Sequence, residues 1–114
     1  MQRKITVEQI TKHDAQTLIA QEQAVVDVFA EMDYQETRFG PCDVTDDTKN
    51  TPFHFVTYIA KYASRWQDGS WAPFKAATVD AYRSCMVKVA ALALNAIVSL
   101  DRQRANNGKA SYEE

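Results

Sequence analysis

The sequence has few of the residues that mark special structural classes. Its 114 residues include three glycines, three prolines and two cysteines, which excludes collagen-like, glycine-rich and disulfide-rich chains. Cys42 and Cys85 lie far apart, and neither belongs to a CxxC motif. The two histidines, His13 and His54, complete no zinc-type spacing with them. We therefore expect reduced thiols, no metal site and no cofactor.

The sequence also lacks long apolar runs and a large excess of charge of one sign. The basic N-terminus has no apolar segment after it, and the stretch from Val87 to Leu100 is interrupted by polar residues. That stretch is shorter than the roughly 20 residues of a membrane span. Thirteen basic against fifteen acidic residues give a net charge of −2, which argues against a dedicated nucleic-acid binder. We expect a cytoplasmic protein without membrane contact.

The residues that are present favour helices, beginning with a first helix after Asp14. Asp14 is a suitable N-cap, because its carboxylate can accept from free backbone amides of the first turn. Gly40, followed by Pro41, suits the left-handed residue that ends a helix. Between them, apolar residues recur at helical steps: Ala15, Leu18, Ile19, Val25, Val26, Phe29 and Met32. Residues 41–50 are polar and rich in turn formers, and we interpret them as a loop.

Two further helices follow. Thr51 and Pro52 form an N-cap followed by proline at the first helical position, and an apolar stripe continues to Trp66: Phe55, Val56, Ile59, Ala60, Ala63 and Trp66. The last helix begins at Pro73 or Thr78 and continues to Arg104. Its apolar residues alternate at steps of three and four: Val79, Tyr82, Met86, Val89, Ala93, Ala96 and Leu100.

These patterns predict one all-α domain over residues 1–114, a bundle of three main helices with a long C-terminal helix. The last helix is too long for two shorter partners to cover, so we expect oligomerisation to complete the bundle. Residues 1–12 are expected to form an N-terminal arm, and residues 106–114 a loose tail. Trp71 and Phe74 are interpreted as a plug at one end of the bundle or as a ligand lid.

A metal site made of carboxylates is one candidate chemistry. Mg²⁺ prefers oxygen ligands that face inward from neighbouring helices. The second helix has no acidic residue, and neither has the middle of the third. A solvated helix face is therefore the favoured interpretation of the carboxylates on the first and third helices: Asp27, Glu31, Asp33, Glu36, Asp80 and Asp101.

A basic and aromatic set is the second candidate. Cationic side chains bind phosphate and aromatic rings stack on bases, so this mixture suits a nucleotide. The alternative is that the charges pair with acidic residues of the first helix. Lys88 lies on an otherwise apolar helix and needs an anionic partner or a path to solvent. The candidate ligand-binding residues are Tyr58, Lys61, Tyr62, Arg65, Arg83 and Lys88. No catalytic residue is assigned: Cys85 is expected to be a buried, inert thiol, and His54 a structural or surface residue.

Two segments resemble the MazG-like, all-α nucleoside triphosphate pyrophosphohydrolases found among small phage and bacterial proteins. Residues 28–40 (VFAEMDYQETRFG) resemble the ER-x-RQ-x-x-KWG stretch of that group. Residues 86–94 (MVKVAALAL), with Leu100, Asp101 and Arg102 after them, are similar to its ELVQVAAVAVAW…ALDR helix. The resemblance covers about residues 25–104 and implies a MazG-like fold.

The resemblance fails at the residues that carry the family's chemistry. The family's EExxE motif, which ligates Mg²⁺, aligns with Tyr58, Ile59 and Tyr62, and Cys85 aligns with the acid of the third-helix signature. Lys61, Arg65 and Lys88 would reverse the charge of the pocket. We therefore expect phosphate to be held directly instead of through Mg²⁺.

Three hypotheses about function follow. The first is a catalytically silent MazG-like protein of phage origin, acting in the host cytoplasm, that binds a nucleotide or nucleotide-like signal and forms a homodimer or higher oligomer. The second is a helical interaction protein that binds or inhibits a host protein. The third is a Mg²⁺-dependent pyrophosphohydrolase that uses Asp27, Glu31 and Glu36 with Asp80. The sequence leaves open whether the chain is an enzyme, and it favours a protein without catalytic activity.

Overall fold

The computed structural model describes residues 14–41, 46–66 and 76–113. Of these residues 86 % are helical and none is in a strand, as the sequence predicts. The helices are α1 (Ala15–Phe39), α2 (Pro52–Ala63) with a 3-10 turn (Ser64–Trp66), and α3 (Ala76–Asn107). The expected N-terminal arm, Cys42, Trp71 and Phe74 lie outside the described residues.

The predicted ends of α1 are confirmed. The carboxylate of Asp14 accepts a hydrogen bond from the backbone of Thr17 at 2.7 Å, and this bond lowers the pKa of Asp14. At the other end, Gly40 has φ 95° and ψ 175°, a conformation that glycine adopts readily and other residues rarely. Its amide donates to the carbonyl of Glu36 at 2.9 Å, which closes the last turn of the helix.

The predicted start of α2 is also confirmed. Thr51 is the N-cap and Pro52 the first helical residue. His54 adds a bond that the sequence analysis did not foresee, because its Nδ1 accepts from the backbone amide of Thr51 at 3.1 Å. His54 therefore has the structural role expected of it, at the start of the helix.

Both other helices pack against α3. Asp27 contacts Arg83, and Gln35 contacts Asn95; because both residue numbers rise together, α1 and α3 run in the same direction. On the other side, Cys85 Sγ lies 3.3 Å from the carbonyl oxygen of Tyr62. Trp66 meets Tyr82 edge to face, with ring centroids 5.4 Å apart. These contacts make α2 antiparallel to α3.

The buried face of α3 differs from the predicted apolar stripe. Its buried residues are Cys85, Ala91, Asn95, Ser99 and Gln103, while Val79 and Tyr82 at the start of the stripe are 45 % and 39 % exposed. The reason is that the buried polar residues have hydrogen-bond partners, so their burial is not penalised. Asn95 donates to Gln35, Ser99 donates to Asp47, and Gln103 accepts from the amide of Ser111.

The apolar stripe of α1 is likewise uncovered. No residue of α1 is buried, and four of its apolar side chains are half exposed or more, whereas Leu18 and Met32 are partly covered. The four are Ile19, Val25, Val26 and Phe29. The sequence shows which face of α1 is apolar, but it does not show that α3 packs on a neighbouring face.

The expected loose tail is instead packed over its described part. Helix α3 ends at Asn107, and Gly108 follows with a positive φ of 79°. Ala110 is completely buried, and Glu113 accepts bonds from Arg104 and from the amide of Ala110. These two donors lower the pKa of Glu113, and its carboxylate closes the turn after the helix.

The segment expected to be a loop contains a helical turn at residues 46–48. Asp47 of this turn accepts from Ser99 and twice from Arg102, each at 2.7 Å. The Arg102 guanidinium, followed by the Ser99 hydroxyl, lowers the pKa of Asp47. The turn is thereby attached to α3.

Within the described residues, one stretch, Thr78–Asn107, is long and apolar enough to cross a bilayer by length and composition alone. It exceeds the apolar segment seen in the sequence because the helix is continuous on both sides of Val87–Leu100. A single helix of this kind is weak evidence for a membrane protein, since a core helix of a soluble protein meets the same criterion.

Candidate functional site: a basic and aromatic cavity

A cavity of about 370 Å³ opens where all three helices and the turn at residues 46–48 approach one another. Its volume lies within the range of small-molecule sites. Helix α1 contributes its C-terminal turns, α2 contributes one flank, and α3 contributes its middle. Four of the six predicted binding residues line this cavity: Tyr58, Lys61, Tyr62 and Lys88.

The flank of α2 brings the first three of these residues together. Tyr58, Lys61 and Tyr62 are three or four positions apart, so they lie on one side of the helix. Phe55, which is 6 % exposed, packs inward next to them and lines the same cavity. Arg65 is not a lining residue, but its guanidinium carbon is 5.2 Å from the centroid of the Tyr62 ring.

Lys88 reaches the cavity from α3. Its ammonium nitrogen is 5.7 Å from the centroid of the Tyr62 ring, within the range of a cation–π contact. On an otherwise apolar helix this lysine needs an anion or a path to solvent. The cavity supplies the solvent path, and the face of an aromatic ring stabilises the charge.

Arg83 lies elsewhere. Its guanidinium forms an ion pair with Asp27 at 2.7 Å, outside the cavity. This hydrogen bond, together with one from Gln23, lowers the pKa of Asp27. For Arg83 the alternative interpretation, pairing with an acidic residue of the first helix, is therefore the one that the structure shows.

The lining residues that α1 contributes to the cavity were not predicted from the sequence. Tyr34, Arg38 and Phe39 line the cavity, and the guanidinium carbon of Arg38 is 5.4 Å from the centroid of the Phe39 ring. A signal was present: Glu31, Gln35 and Arg38 follow at steps of four and three, on a different face from the apolar stripe. The spacing alone did not show that this face meets α2 and α3.

Side-chain amides form a polar part of the lining. Asn95 is 6 % exposed and donates to Gln35 at 3.2 Å. Gln35 in turn lies 3.5 Å from the carboxylate of Glu31, and Asn50 donates to Asp46 at 3.0 Å. Amide groups held in this way can offer donors and acceptors to the edge of a bound ring.

The charge of the cavity is mixed, which corrects the expectation of a fully reversed pocket. Arg38, Lys61 and Lys88 are its cations, and Glu31 and Asp46 are its carboxylates. Glu31 comes from the segment of α1 that resembles the family, and Asp46 comes from the helical turn at residues 46–48.

The remaining predicted carboxylates do not converge on this cavity. Asp27 pairs with Arg83, while Asp33 and Glu36 line a second depression with Met32 and Arg102. This depression adjoins the cavity, since Asp46 and Asn95 line both. Over residues 14–41, 46–66 and 76–113, no three His, Cys, Asp or Glu side chains are grouped so that they could hold a metal ion. Cys85 is buried as expected, with its sulfur directed to the Tyr62 carbonyl.

The arrangement can hold a molecule that has both an anionic group and a flat ring. Comparisons with known proteins add no relative: no family model, curated protein or solved structure matches the chain. The interpretation of the site therefore depends on its own residues.

Proposed function

We propose that this chain binds a nucleotide, or a similar phosphorylated molecule with a flat ring, in the cavity between its three helices and does so without catalysis. The observation that carries the proposal is that Tyr58, Lys61 and Tyr62 of α2 and Lys88 of α3 line one cavity. The sequence analysis selected these residues for that chemistry, and Arg38 of α1 adds a further cation.

The lining suits each part of such a ligand. Lysine and arginine bind phosphate oxygens as charge-assisted donors. Tyrosine rings stack on bases, a contact worth about 1–3 kcal/mol per base. The amides of Gln35, Asn50 and Asn95 can hydrogen-bond the polar edge of a ring.

The proposal also includes a MazG-like fold, self-association and a cytoplasmic location. A MazG-like fold is supported by three helices that include the two segments carrying the resemblance. Self-association in the cytoplasm would cover apolar side chains that α2 and α3 leave exposed, namely Phe53, Val56, Ile97 and Val98. Light scattering over a range of protein concentrations would measure the oligomeric state.

Equilibrium titration by calorimetry tests the binding proposal. The ligands are ATP, AMP, adenosine and pyrophosphate, each with and without Mg²⁺. We expect ATP to bind more tightly than adenosine, because adenosine lacks the phosphates that the lysines hold. Lys88→Ala and Lys61→Ala should each weaken ATP binding about tenfold, the loss of one hydrogen bond to a charged group.

Lys109→Ala is the matched control, because Lys109 is an exposed lysine beyond α3 and far in sequence from the lining residues. It should leave ATP binding unchanged. Failure of all four ligands to bind, or equal effects of Lys88→Ala and Lys109→Ala, would contradict the proposal.

A hydrolase is the second candidate, favoured by one observation: Glu31, part of the predicted catalytic set, lines the same cavity as Lys88. Mg²⁺-dependent release of pyrophosphate from a nucleoside triphosphate, abolished in Glu31→Gln, would establish it. ATP that binds and is recovered unchanged would support binding without catalysis.

A further inference from the structure

The apolar face of α1 is separate from the cavity and carries a pattern of its own. Six residues follow one another along it at steps of four, three, four, four and three, so they form one line on the helix. The line consists of Leu18, Glu22, Val25, Phe29, Asp33 and Glu36. We call it the α1 seam; Ile19 and Val26 lie beside it.

Among the described residues, most of the α1 seam is uncovered, although Leu18 is only partly exposed. Val25, Val26 and Phe29 expose 51 %, 58 % and 55 % of their surface. Exposed apolar side chains that adjoin one another over several turns are typical of interaction surfaces. The acidic members of the seam, Glu22, Asp33 and Glu36, are exposed as well. Within the described part of the chain, none of the three takes part in an ion pair.

Charge decides which partner fits the seam. From Asp14 to Phe39 the chain has six acidic residues and one basic residue, Arg38. In a parallel pair of α1 helices from two copies, Glu22 would face Glu22. In an antiparallel pair centred on Val25 and Val26, Glu22 would face Phe29, and Asp33 would face Leu18. Both arrangements place carboxylates against like charge or apolar surface, which is unfavourable.

We propose that the α1 seam is a docking surface for a basic amphipathic helix of another protein. The apolar side of such a helix packs on Leu18, Val25, Val26 and Phe29, and its lysines or arginines pair with Glu22, Asp33 and Glu36. The seam spans 19 residues, or roughly 27 Å at about 1.5 Å per residue. A partner helix of about 14–18 residues therefore covers it.

The test uses the full chain and a fluorescein-labelled, 14-residue amphipathic helix of leucine and lysine as the probe, followed by fluorescence anisotropy. A matched peptide with glutamate in place of lysine is the peptide control. We expect the lysine peptide to bind, the glutamate peptide to bind at least about tenfold more weakly, and 0.5 M salt to weaken the lysine peptide.

Two double variants separate the seam from general electrostatic attraction. Glu22→Lys with Asp33→Lys should weaken lysine-peptide binding at least about tenfold. Asp80→Lys with Asp101→Lys makes the same change of net charge at exposed positions of α3 and should have little effect. Val26→Ser should weaken binding of the lysine peptide, and it should leave the helix content of the protein, measured by circular dichroism, unchanged. Equal losses in the two double variants would overturn the proposal.

Either of two other occupants of the α1 seam would overturn the proposal, and a different experimental result identifies each of them. Sedimentation that shows an oligomer dissociated by Val26→Ser would assign the seam to a second copy of the chain. Tighter peptide binding in the full-length variant with Arg3→Glu and Lys4→Glu would assign it to the chain's own basic N-terminus. Because the seam and the cavity share no residue, ATP binding should be unchanged in all the seam variants.

Discussion

At the scale of single residues, Gly40 has the most restricted role. It ends α1, its amide donates to Glu36, and it also lines the cavity next to Phe39. Its φ of 95° with ψ of 175° lies in a region that is essentially restricted to glycine. A side chain at this position therefore strains the backbone at the point where α1 enters the site.

Gly40→Ala is expected to lower the free energy of unfolding by about 1–3 kcal/mol, the usual cost of such a backbone conformation for other residues. Urea denaturation measures the change. Ala30→Ser, at an exposed position inside α1, is the control and should change stability by about 0.5 kcal/mol or less. A Gly40→Ala change no larger than that of the control would show that the backbone at Gly40 relaxes freely.

Some residues of the site could be predicted from the sequence and others could not. Tyr58, Lys61 and Tyr62 were predictable because they share one helix, and the spacing within a helix fixes their relative directions. The pairing of Arg83 with Asp27 was not predictable, because it depends on how α1 and α3 pack. Cys85 was predictable as buried because it lies beside apolar residues on a long helix.

At the scale of elements, the helical turn at residues 46–48 depends on α3 for its position. Asp47 accepts one bond from Ser99 and two from Arg102. Ser99 is 2 % exposed, so this contact is shielded from water. The same turn brings Asp46 into the lining of the cavity, which links the attachment of the turn to the shape of the site.

Asp47→Asn should therefore lower stability at pH 7 by about 1–3 kcal/mol, through the loss of charge-assisted hydrogen bonds. The folded chain lowers the pKa of Asp47. Its contribution is thus complete above the pKa of the unfolded chain, near 3.8, and is lost as pH falls through the lower, folded value.

Urea denaturation at pH 7 and at pH 3 checks both statements. The difference in stability between the wild type and Asp47→Asn should be smaller at pH 3 than at pH 7. Asp80→Asn, at an exposed position of α3, is the control. A difference for Asp47→Asn that does not change with pH would contradict the role given to its charge.

The helix boundaries were largely predictable, whereas the faces in contact were not. Asp14, Gly40, Thr51 and Pro52 act on their own turns, so local sequence is enough to identify them. The burial of Asn95 and Ser99 depends on Gln35 and Asp47, which are 60 and 52 positions away. Apolar periodicity therefore predicted Val79 and Tyr82 for the interior, and the structure buries neither of them.

At the scale of the whole molecule, α3 forms the centre to which the other elements attach. Ala91, in the middle of α3, has no exposed surface at all. A small residue at such a position allows neighbouring helices to approach closely. The level of Ala91 along α3 is also that of the cavity, since Lys88, Leu92 and Asn95 all line it.

Ala91→Leu should destabilise the fold by about 1–3 kcal/mol, because a larger side chain forces the packed neighbours apart. Thermal or urea denaturation measures the change, and the same variant should also weaken ATP binding. Ala30→Leu is the matched control at an exposed position and should leave both quantities nearly unchanged. An equally stable Ala91→Leu protein would show that there is space next to Ala91.

The buried polar residues of α3 have a consequence for how the helix finds its position along its neighbours. Asn95, Ser99 and Gln103 lie one turn apart, and their partners are Gln35, Asp47 and the amide of Ser111. A shift of α3 by one turn, about 5.4 Å, would exchange apolar neighbours at little cost. It would also break the bonds of Asn95 to Gln35 and of Ser99 to Asp47 at once and leave buried polar groups without partners. The register of α3 is thus selected by its polar residues, and with it the placement of Lys88 next to Tyr62.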